Sequence, residues 1–243
     1  MKKIALSFLL FFIIVIPKQA LAAQKIPILI YHHIDEYQGI GSKQLYVTPE
    51  NFEKQIKYLQ SHGFTLFTFE NWKQIDEVKK PIFLTFDDGY KDNLQVLKVF
   101  QDLKQERFQP RATFFIISDF VGRANRLTKS DLLALTKTGM ISIQSHTATH
   151  PDLTNISHYE YELKGSMDTL EQLINKKVIA LAYPYGNFNN RVVEETKKYS
   201  FGLTTTPELY TKQGRKDELF LLPRIYVKFD TTIEEFAELV EGH

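Results

Sequence analysis

Short apolar runs alternate along this chain with segments in which apolar residues recur at helical spacing. The runs are rich in β-branched and aromatic residues, which is typical of strands buried on both faces of a parallel sheet. Strands are predicted at 26–31, 64–67, 81–84, 112–117, 140–143, 178–182, 201–206 and 221–227. Helices are predicted between Thr48 and Gly63, at 69–75, from 93 onward, between Thr128 and Gly139, and at 157–174, 190–199 and 231–240, with loops at 34–47 and 207–218.

This alternation of strand and helix predicts an α/β fold in which one parallel sheet is wrapped by helices. The 243 residues suffice for one sizeable domain with a full core, and no linker or low-complexity break divides them. The periodicity leaves a closed barrel and an open sheet as alternatives. No glycine-rich loop follows the first strand, so a nucleotide partner is not expected.

The bulk composition narrows the possible partners. The formal net charge is +1, which gives no electrostatic footprint for nucleic acid. Aromatic residues make up 13% of the chain, which suits either a dense core or a surface that stacks on carbohydrate. Cysteine is absent, so the chain has neither a disulfide nor a thiol for lipid attachment.

The first 23 residues have the pattern of an export signal. A basic start, Met1-Lys2-Lys3, precedes an apolar run from Ile4 to Ile16, and small residues follow at the spacing that a signal peptidase reads. Cleavage is predicted after Ala22 or Ala23, which leaves a domain at 24–243 and a secreted or cell-surface protein. Contact with the membrane is expected only through this segment, and an uncleaved anchor is the alternative.

Two adjacent carboxylates, Asp87 and Asp88, lie at the carboxyl end of a predicted buried strand and are followed by Gly89. In α/β folds this edge of the sheet is where ligands bind and chemistry takes place. Neighbouring strand residues point in opposite directions, so the two carboxylates need different partners. The alternative interpretation is an ordinary turn, in which Asp and Gly are common.

Other polar side chains follow strands at the same predicted edge. They are His32, His33, His146, His150, Tyr183 and Tyr185. Two histidines and one carboxylate form a ligand set for a divalent metal, and imidazole with carboxylate suits Zn²⁺. Three protein ligands leave one coordination position open, as a catalytic site requires. The alternative for the segment around His146 and His150 is a polar loop that ends at Pro151.

The motifs Thr-Phe-Asp-Asp-Gly at 85–89 and Ser-His-Thr-Ala-Thr-His at 145–150 resemble those of the NodB-type polysaccharide deacetylases, carbohydrate esterase family 4. The resemblance runs from about residue 27 to 227. It implies a single-domain distorted (β/α) barrel of about seven parallel strands that removes acetyl groups from N-acetylglucosamine polymers or acetylated xylan. It also implies that Asp87 is the general base and that Asp88, His146 and His150 bind the metal.

The chain departs from the family pattern in two places. Tyr183-Pro184-Tyr185 matches the family's Arg-x-Pro-Tyr motif, whose tyrosine N–H contributes to the oxyanion hole, but Ala182 occupies the arginine position. Arg224 is the candidate replacement, and a surface arginine is the alternative. The family's late Leu-x-His-Asp motif, which supplies the general acid, has no match after Gly186.

These departures make the chain look more like the branch that acts on β-1,6-linked poly-N-acetylglucosamine. His32 or His33 is the candidate general acid, and a core histidine is the alternative for one of them. The expected substrate is an acetylated exopolysaccharide or cell-wall glycan. The alternative functions are an O-acetyl xylan esterase, a catalytically weak wall carbohydrate-binding protein, and a scaffold protein with fortuitous motifs.

Overall fold

A computed structural model describes residues 24–242, so the predicted signal segment lies outside the described part of the chain. The strands are β1 (Lys25–Ile26), β2 (Ile28–Tyr31), β3 (His33–Ile34), β4 (Tyr46–Val47), β5 (Thr65–Phe67), β6 (Pro81–Phe86), β7 (Ala112–Ile116), β8 (Ile141–Ser145), β9 (Ala180–Ala182), β10 (Phe201–Leu203), β11 (Tyr210–Thr211) and β12 (Ile225–Tyr226). The α-helices are α1 (Pro49–Ser61), α2 (Leu94–Leu103), α3 (Lys129–Lys137), α4 (Ser166–Ile174), α5 (Asn190–Thr196) and α6 (Ile233–Glu241).

Seven strands form one parallel sheet in the order β10-β9-β8-β7-β6-β2-β12, and β5 pairs with the first half of β6. The sheet curls until its two ends approach each other. Leu222, three residues before β12, bridges in parallel to Leu203 of β10, while Ile225 pairs with Leu29 of β2. The predicted distorted (β/α) barrel is therefore confirmed, and the open sheet is excluded.

Two apolar clusters follow from the alternation of side chains along the strands. On β6, Phe83 points into the barrel, whereas Ile82, Leu84 and Phe86 point outward against the helices. The barrel interior is closed by a compact set that includes Phe69, Phe83, Phe115, Phe201 and Leu222. The interior is packed and leaves no space for a ligand. In barrels of this kind the functional residues lie at the carboxyl ends of the strands, which form the mouth of the barrel.

Helix starts follow the predicted capping signals. The Thr48 hydroxyl accepts a hydrogen bond from the Asn51 N–H, and Pro49 occupies the first helical position of α1. Thr128 with Asp131 caps α3 reciprocally.

Among residues 24–242, no helix combines the length and apolar character that a bilayer span requires.

Several predicted bounds are corrected. The predicted helix at 157–174 begins as a π-helix, Glu160–Gly165, and becomes α-helical only in α4. The predicted helix at 69–75 is a 3₁₀-helix, Phe69–Glu77, and the strand predicted at 221–227 is confined to β12. Both predicted loops contain two-residue strands: β4 pairs with β3, and β11 pairs with β1. A two-residue strand is too short to show a periodicity in the sequence. It forms because another segment of the chain pairs with it.

Candidate active site

The carboxyl ends of β6 and β8 bring three potential metal ligands together. Asp88 Oδ1 lies 3.6 Å from His146 Nε2 and 3.6 Å from His150 Nε2. All three ligand atoms lie within 4.8 Å of one another. Ligands at about 2.1 Å from a tetrahedral metal stand about 3.4 Å apart, so this spacing fits a small divalent cation.

His146 is oriented by a backbone carbonyl. Its Nδ1 lies 2.8 Å from the Ala182 oxygen, and a carbonyl only accepts, so Nδ1 carries the proton. The Nε2 lone pair therefore faces Asp88, which is the arrangement by which outer partners fix metal-binding imidazoles. Burial, followed by the neighbouring His146, lowers the pKa of His150 to about 4. His150 is thus neutral at pH 7 and able to bind a metal.

The loops of this site hold non-glycine residues in the left-handed region. The φ angles of Asp88, Thr147, His150 and Tyr185 are 71°, 68°, 64° and 61°. This conformation is disfavoured for residues with a Cβ, and most of all for a β-branched threonine. Strained backbone of this kind persists where surrounding structure over-determines it, typically at binding or catalytic sites.

Asp87 sits beside the ligand set and forms a bidentate ion pair with Arg224. Arg224 Nη1 and Nη2 donate to the two Asp87 carboxylate oxygens, each at 2.8 Å, and the Arg224 side chain is fully buried. Burial alone raises the pKa of Asp87, but the charge and hydrogen bonds of the Arg224 guanidinium outweigh it and lower the pKa to about 2. Asp87 is therefore ionised at neutral pH.

Arg224 is itself fixed on three sides. Its Nε donates to the Thr204 carbonyl at 3.0 Å, and Nη1 also donates to the Thr85 hydroxyl at 3.0 Å. The guanidinium Cζ lies 5.5 Å from the Phe115 ring centroid. Of the two alternatives for Arg224, the structure places it inside the barrel mouth and not on the surface. The pair therefore connects β6 to the segment that closes the barrel.

The two adjacent histidines are separated. The His32 ring stacks parallel to Tyr226, with 5.8 Å between the ring centroids. His32 directly follows Tyr31, whose carbonyl accepts a hydrogen bond from the Asp87 N–H at 3.0 Å. Burial lowers the pKa of His32, and the charges of Asp87 and Asp88 oppose this. His33 faces away, with Nδ1 at 2.7 Å from Asp92 and its ring between Tyr46 and Tyr90. The structure thus brings His32 to the site and places His33 in an aromatic cluster of its own.

The two tyrosines of the segment Tyr183-Pro184-Tyr185 also lie in different surroundings. The Tyr183 side chain is buried, and its hydroxyl donates to the Phe220 carbonyl at 2.8 Å, away from the ligand set. The Tyr185 side chain is exposed. Its ring packs edge-to-face on His150, with 4.7 Å between the ring centroids. Pro184 starts a 3₁₀ turn in which the Gly186 N–H donates to the Tyr183 carbonyl at 2.9 Å. The Tyr185 N–H precedes this first bond and therefore has no partner within the turn.

Sequence reasoning missed two groups at the site. Arg126 Nη1 donates to the Asp88 carbonyl at 2.9 Å and covers the Tyr90 ring at 3.8 Å, a contact across a loop that no motif marks. Tyr226 lines the mouth next to His32 and borders a groove that also contains Gln44, Thr205 and Lys228. Its position two residues after Arg224, within the strand predicted at 221–227, was the available signal.

Comparisons with known proteins point to one family. Residues 74–204 match the family model described as polysaccharide deacetylase. The crystal structure of a polysaccharide deacetylase from Bacillus cereus superposes with a TM-score of 0.88 at 47% identity, covering 90% of this chain and 69% of that chain. A Streptococcus pyogenes deacetylase in complex with acetate gives a TM-score of 0.80 at 26% identity, covering 90% and 99%.

A curated relative adds a named substrate. The poly-β-1,6-N-acetyl-D-glucosamine N-deacetylase of Staphylococcus epidermidis is 27% identical over 227 residues, which cover 81% of this chain and 75% of the relative.

Proposed function

The chain belongs to the polysaccharide deacetylase family, and on this premise we propose that it is a metal-dependent hydrolase that removes N-acetyl groups from glycans containing N-acetylglucosamine. The observation that carries the proposal is the Asp88, His146 and His150 ligand set directly beside the Asp87–Arg224 ion pair. The first supplies a metal site and the second an ionised carboxylate, and metal-assisted hydrolysis of an amide uses both.

Asp88, His146 and His150 would hold the metal, and Zn²⁺ suits two imidazoles and one carboxylate. A bound divalent metal lowers the pKa of water toward neutrality and polarises a carbonyl. The other groups of the site have separate tasks. Asp87 accepts the proton of the attacking water, and Arg224 holds both of its oxygens so that one lone pair of each remains free.

The Tyr185 N–H donates to the oxygen that becomes negatively charged as the acetamide carbon turns tetrahedral. His32 donates the proton to the leaving amine, because it is the histidine of the adjacent pair that lies next to Asp87 across the pairing of β2 with β6. His33 is assigned no catalytic role, since Asp92 and two aromatic rings engage it. Tyr183 and Pro184 act indirectly, by setting the turn that presents the Tyr185 N–H.

The substrate is proposed to be an exported or cell-wall polysaccharide. The named activity of the Staphylococcus epidermidis relative supports a β-1,6-linked poly-N-acetylglucosamine. The exposed Tyr185 and Phe188 rings lie at the rim and offer apolar faces to sugar rings. The groove beside Tyr226 leaves room for neighbouring sugars of a polymer.

Mass spectrometry of acetylated oligomers tests the proposal. The purified protein, loaded with Zn²⁺, is incubated separately with β-1,6- and β-1,4-linked N-acetylglucosamine oligomers and with acetylxylan. Loss of acetyl mass from the β-1,6 series is the expected result. Release of acetate from acetylxylan alone identifies an O-acetyl esterase instead. Binding without deacetylation of any of them identifies a carbohydrate-binding protein and refutes the proposal.

Export is proposed from the sequence pattern at 1–23, and residues 24–243 are proposed as the mature domain. This places the enzyme outside the cell or on its surface, where an acetylated glycan is available. N-terminal sequencing of the protein recovered from the producing cell is the test. A first residue at Ala23 or Gln24 is expected, whereas an intact Met1 indicates an uncleaved anchor.

A further inference from the structure

The loop that carries His146 and His150 is tied to a buried carboxylate, Glu162. Glu162 Oε2 accepts hydrogen bonds from the Ala148 N–H at 3.0 Å and the Thr149 N–H at 2.9 Å. Its Oε1 accepts from the Thr149 hydroxyl at 2.6 Å. The Glu162 side chain is 1% exposed, so these charge-assisted bonds are not shared with bulk water.

Glu162 belongs to the π-helix Glu160–Gly165, which leads directly into α4. A π-turn inserts an extra residue and is frequent at functional sites, because it redirects one side chain. Here the redirected carboxylate reaches the two backbone N–H groups that lie between the two histidines. An α-helical continuation would rotate the following residues relative to the loop.

The strained residues of the loop lie on both sides of this anchor. Thr147 stands at a φ of 68° and His150 at 64°, and these conformations are costly unless neighbouring bonds enforce them. The Ser166 hydroxyl holds the Thr147 carbonyl at 3.0 Å, and Glu162 holds the next two residues. Without the carboxylate, the Thr149 N–H would lose its acceptor, and the Ala148 N–H would keep only the Glu162 main-chain carbonyl at 3.1 Å. The strained turn would then be held less tightly.

We infer that Glu162 is a positioning residue that fixes the spacing of His146 and His150 and thereby sets the affinity of the site for its metal. The inference rests on the proposed metal site. It differs from the roles of Asp88, His146 and His150, because the Glu162 carboxylate binds N–H groups and a hydroxyl of the loop, and the histidine near it is His158, with Nε2 3.6 Å away. Residues that orient metal ligands typically change metal affinity by about 10–100-fold when they are removed.

The test compares Glu162→Ala and Glu162→Gln with Glu160→Ala. Glu160 lies in the same π-helix, but its carboxylate is largely exposed and pairs with Lys198 at 3.2 Å, which makes it the matched control. Zn²⁺ affinity is measured by competition with a chromophoric chelator, and ligand geometry is read from the visible absorption spectrum of the Co²⁺-loaded protein. Folding is checked by circular dichroism.

Glu162→Ala should weaken Zn²⁺ binding by about 10–100-fold and alter the Co²⁺ spectrum, while Glu160→Ala leaves both unchanged. Glu162→Gln keeps one acceptor oxygen and should fall between them; it decides the question if the alanine variant does not fold. Wild-type affinity and spectrum in a folded Glu162 variant overturn the inference. Failure of the wild-type protein itself to bind Zn²⁺ or Co²⁺ refutes the proposed metal site instead.

Discussion

Arg224 binds both carboxylate oxygens of Asp87 at 2.8 Å, although the two residues lie 137 positions apart in the chain. The pair joins the central strand β6 to the segment that closes the barrel, and both side chains are buried. Ala182 fills the arginine position of the family's Arg-x-Pro-Tyr motif, so this motif supplies no cation to Asp87. The cation beside Asp87 comes instead from Arg224, directly before β12.

Replacing Arg224 with Met should destabilise the protein and abolish activity. The Asp87 carboxylate would remain buried without its cation, which typically costs about 3–5 kcal/mol. Arg224→Lys keeps the charge but loses the two-pronged geometry, so it should recover stability better than activity. Urea unfolding and deacetylation assays on both variants check this. Full activity in Arg224→Met would contradict the role proposed for the pair.

The stability of the metal-free protein should fall in acid partly because of Asp87. Its pKa of about 2 in the folded state lies below its ordinary value of 3.8. The group therefore stabilises the fold above pH 3.8, and this contribution, about 2 kcal/mol, is lost as the pH falls through 2. Urea unfolding between pH 5 and pH 2 is compared for wild type and Asp87→Asn, both without metal. A smaller loss of stability is expected in the variant, and equal losses would contradict the ion-pair account.

Substitutions at the two adjacent aspartates should separate chemistry from metal binding. Asp87→Asn should lower kcat by about 10²–10⁴-fold while Zn²⁺ content stays at the wild-type level, because Asp87 is proposed to move a proton and not to hold the metal. Asp88→Asn and His146→Ala should lose both metal and activity. Elemental analysis alongside the deacetylation assay distinguishes the two classes. An active Asp87→Asn protein would remove Asp87 from the mechanism.

The adjacent histidines form a matched pair for testing the general acid. His32→Gln should lower kcat strongly, since His32 lies next to Asp87 across the pairing of β2 with β6. His33→Gln should leave kcat nearly unchanged and reduce stability, since it removes the contact with Asp92 and a ring between Tyr46 and Tyr90. The reverse pattern would assign the acid to His33.

Whether the sequence predicts a feature of this fold or site depends on how far apart the interacting residues lie along the chain. Apolar runs, capping residues and two compact motifs identified the barrel, and they proposed the ligand set, because each signal lies within a few consecutive residues. Arg224 stayed open between a surface residue and a partner of Asp87, since only closure of the barrel decides what faces it. Glu162 gave no signal at all: its role arises from a π-turn and from N–H groups 13 and 14 residues away.

Two glycines with the same backbone conformation provide a test of the Tyr185 turn. Gly186 and Gly214 both have positive φ, at 72° and 66°. A Cβ on Gly186 would lie 2.0 Å from the Thr205 hydroxyl oxygen, whereas a Cβ on Gly214 would meet nothing within 4 Å. Gly214→Ala should therefore cost only the left-handed strain, about 1–2 kcal/mol, and leave kcat unchanged.

Gly186→Ala carries the same strain plus the collision, so it should cost more stability. It should also lower kcat, because relief of the collision moves the neighbouring Tyr185 N–H away from the place where the oxyanion forms. A lost oxyanion donor typically costs about 10²–10³-fold in kcat, which sets the upper end of the expected effect. Thermal unfolding and steady-state kinetics on both variants provide the check. Equal kcat values would mean that the Tyr185 N–H takes no part in the reaction.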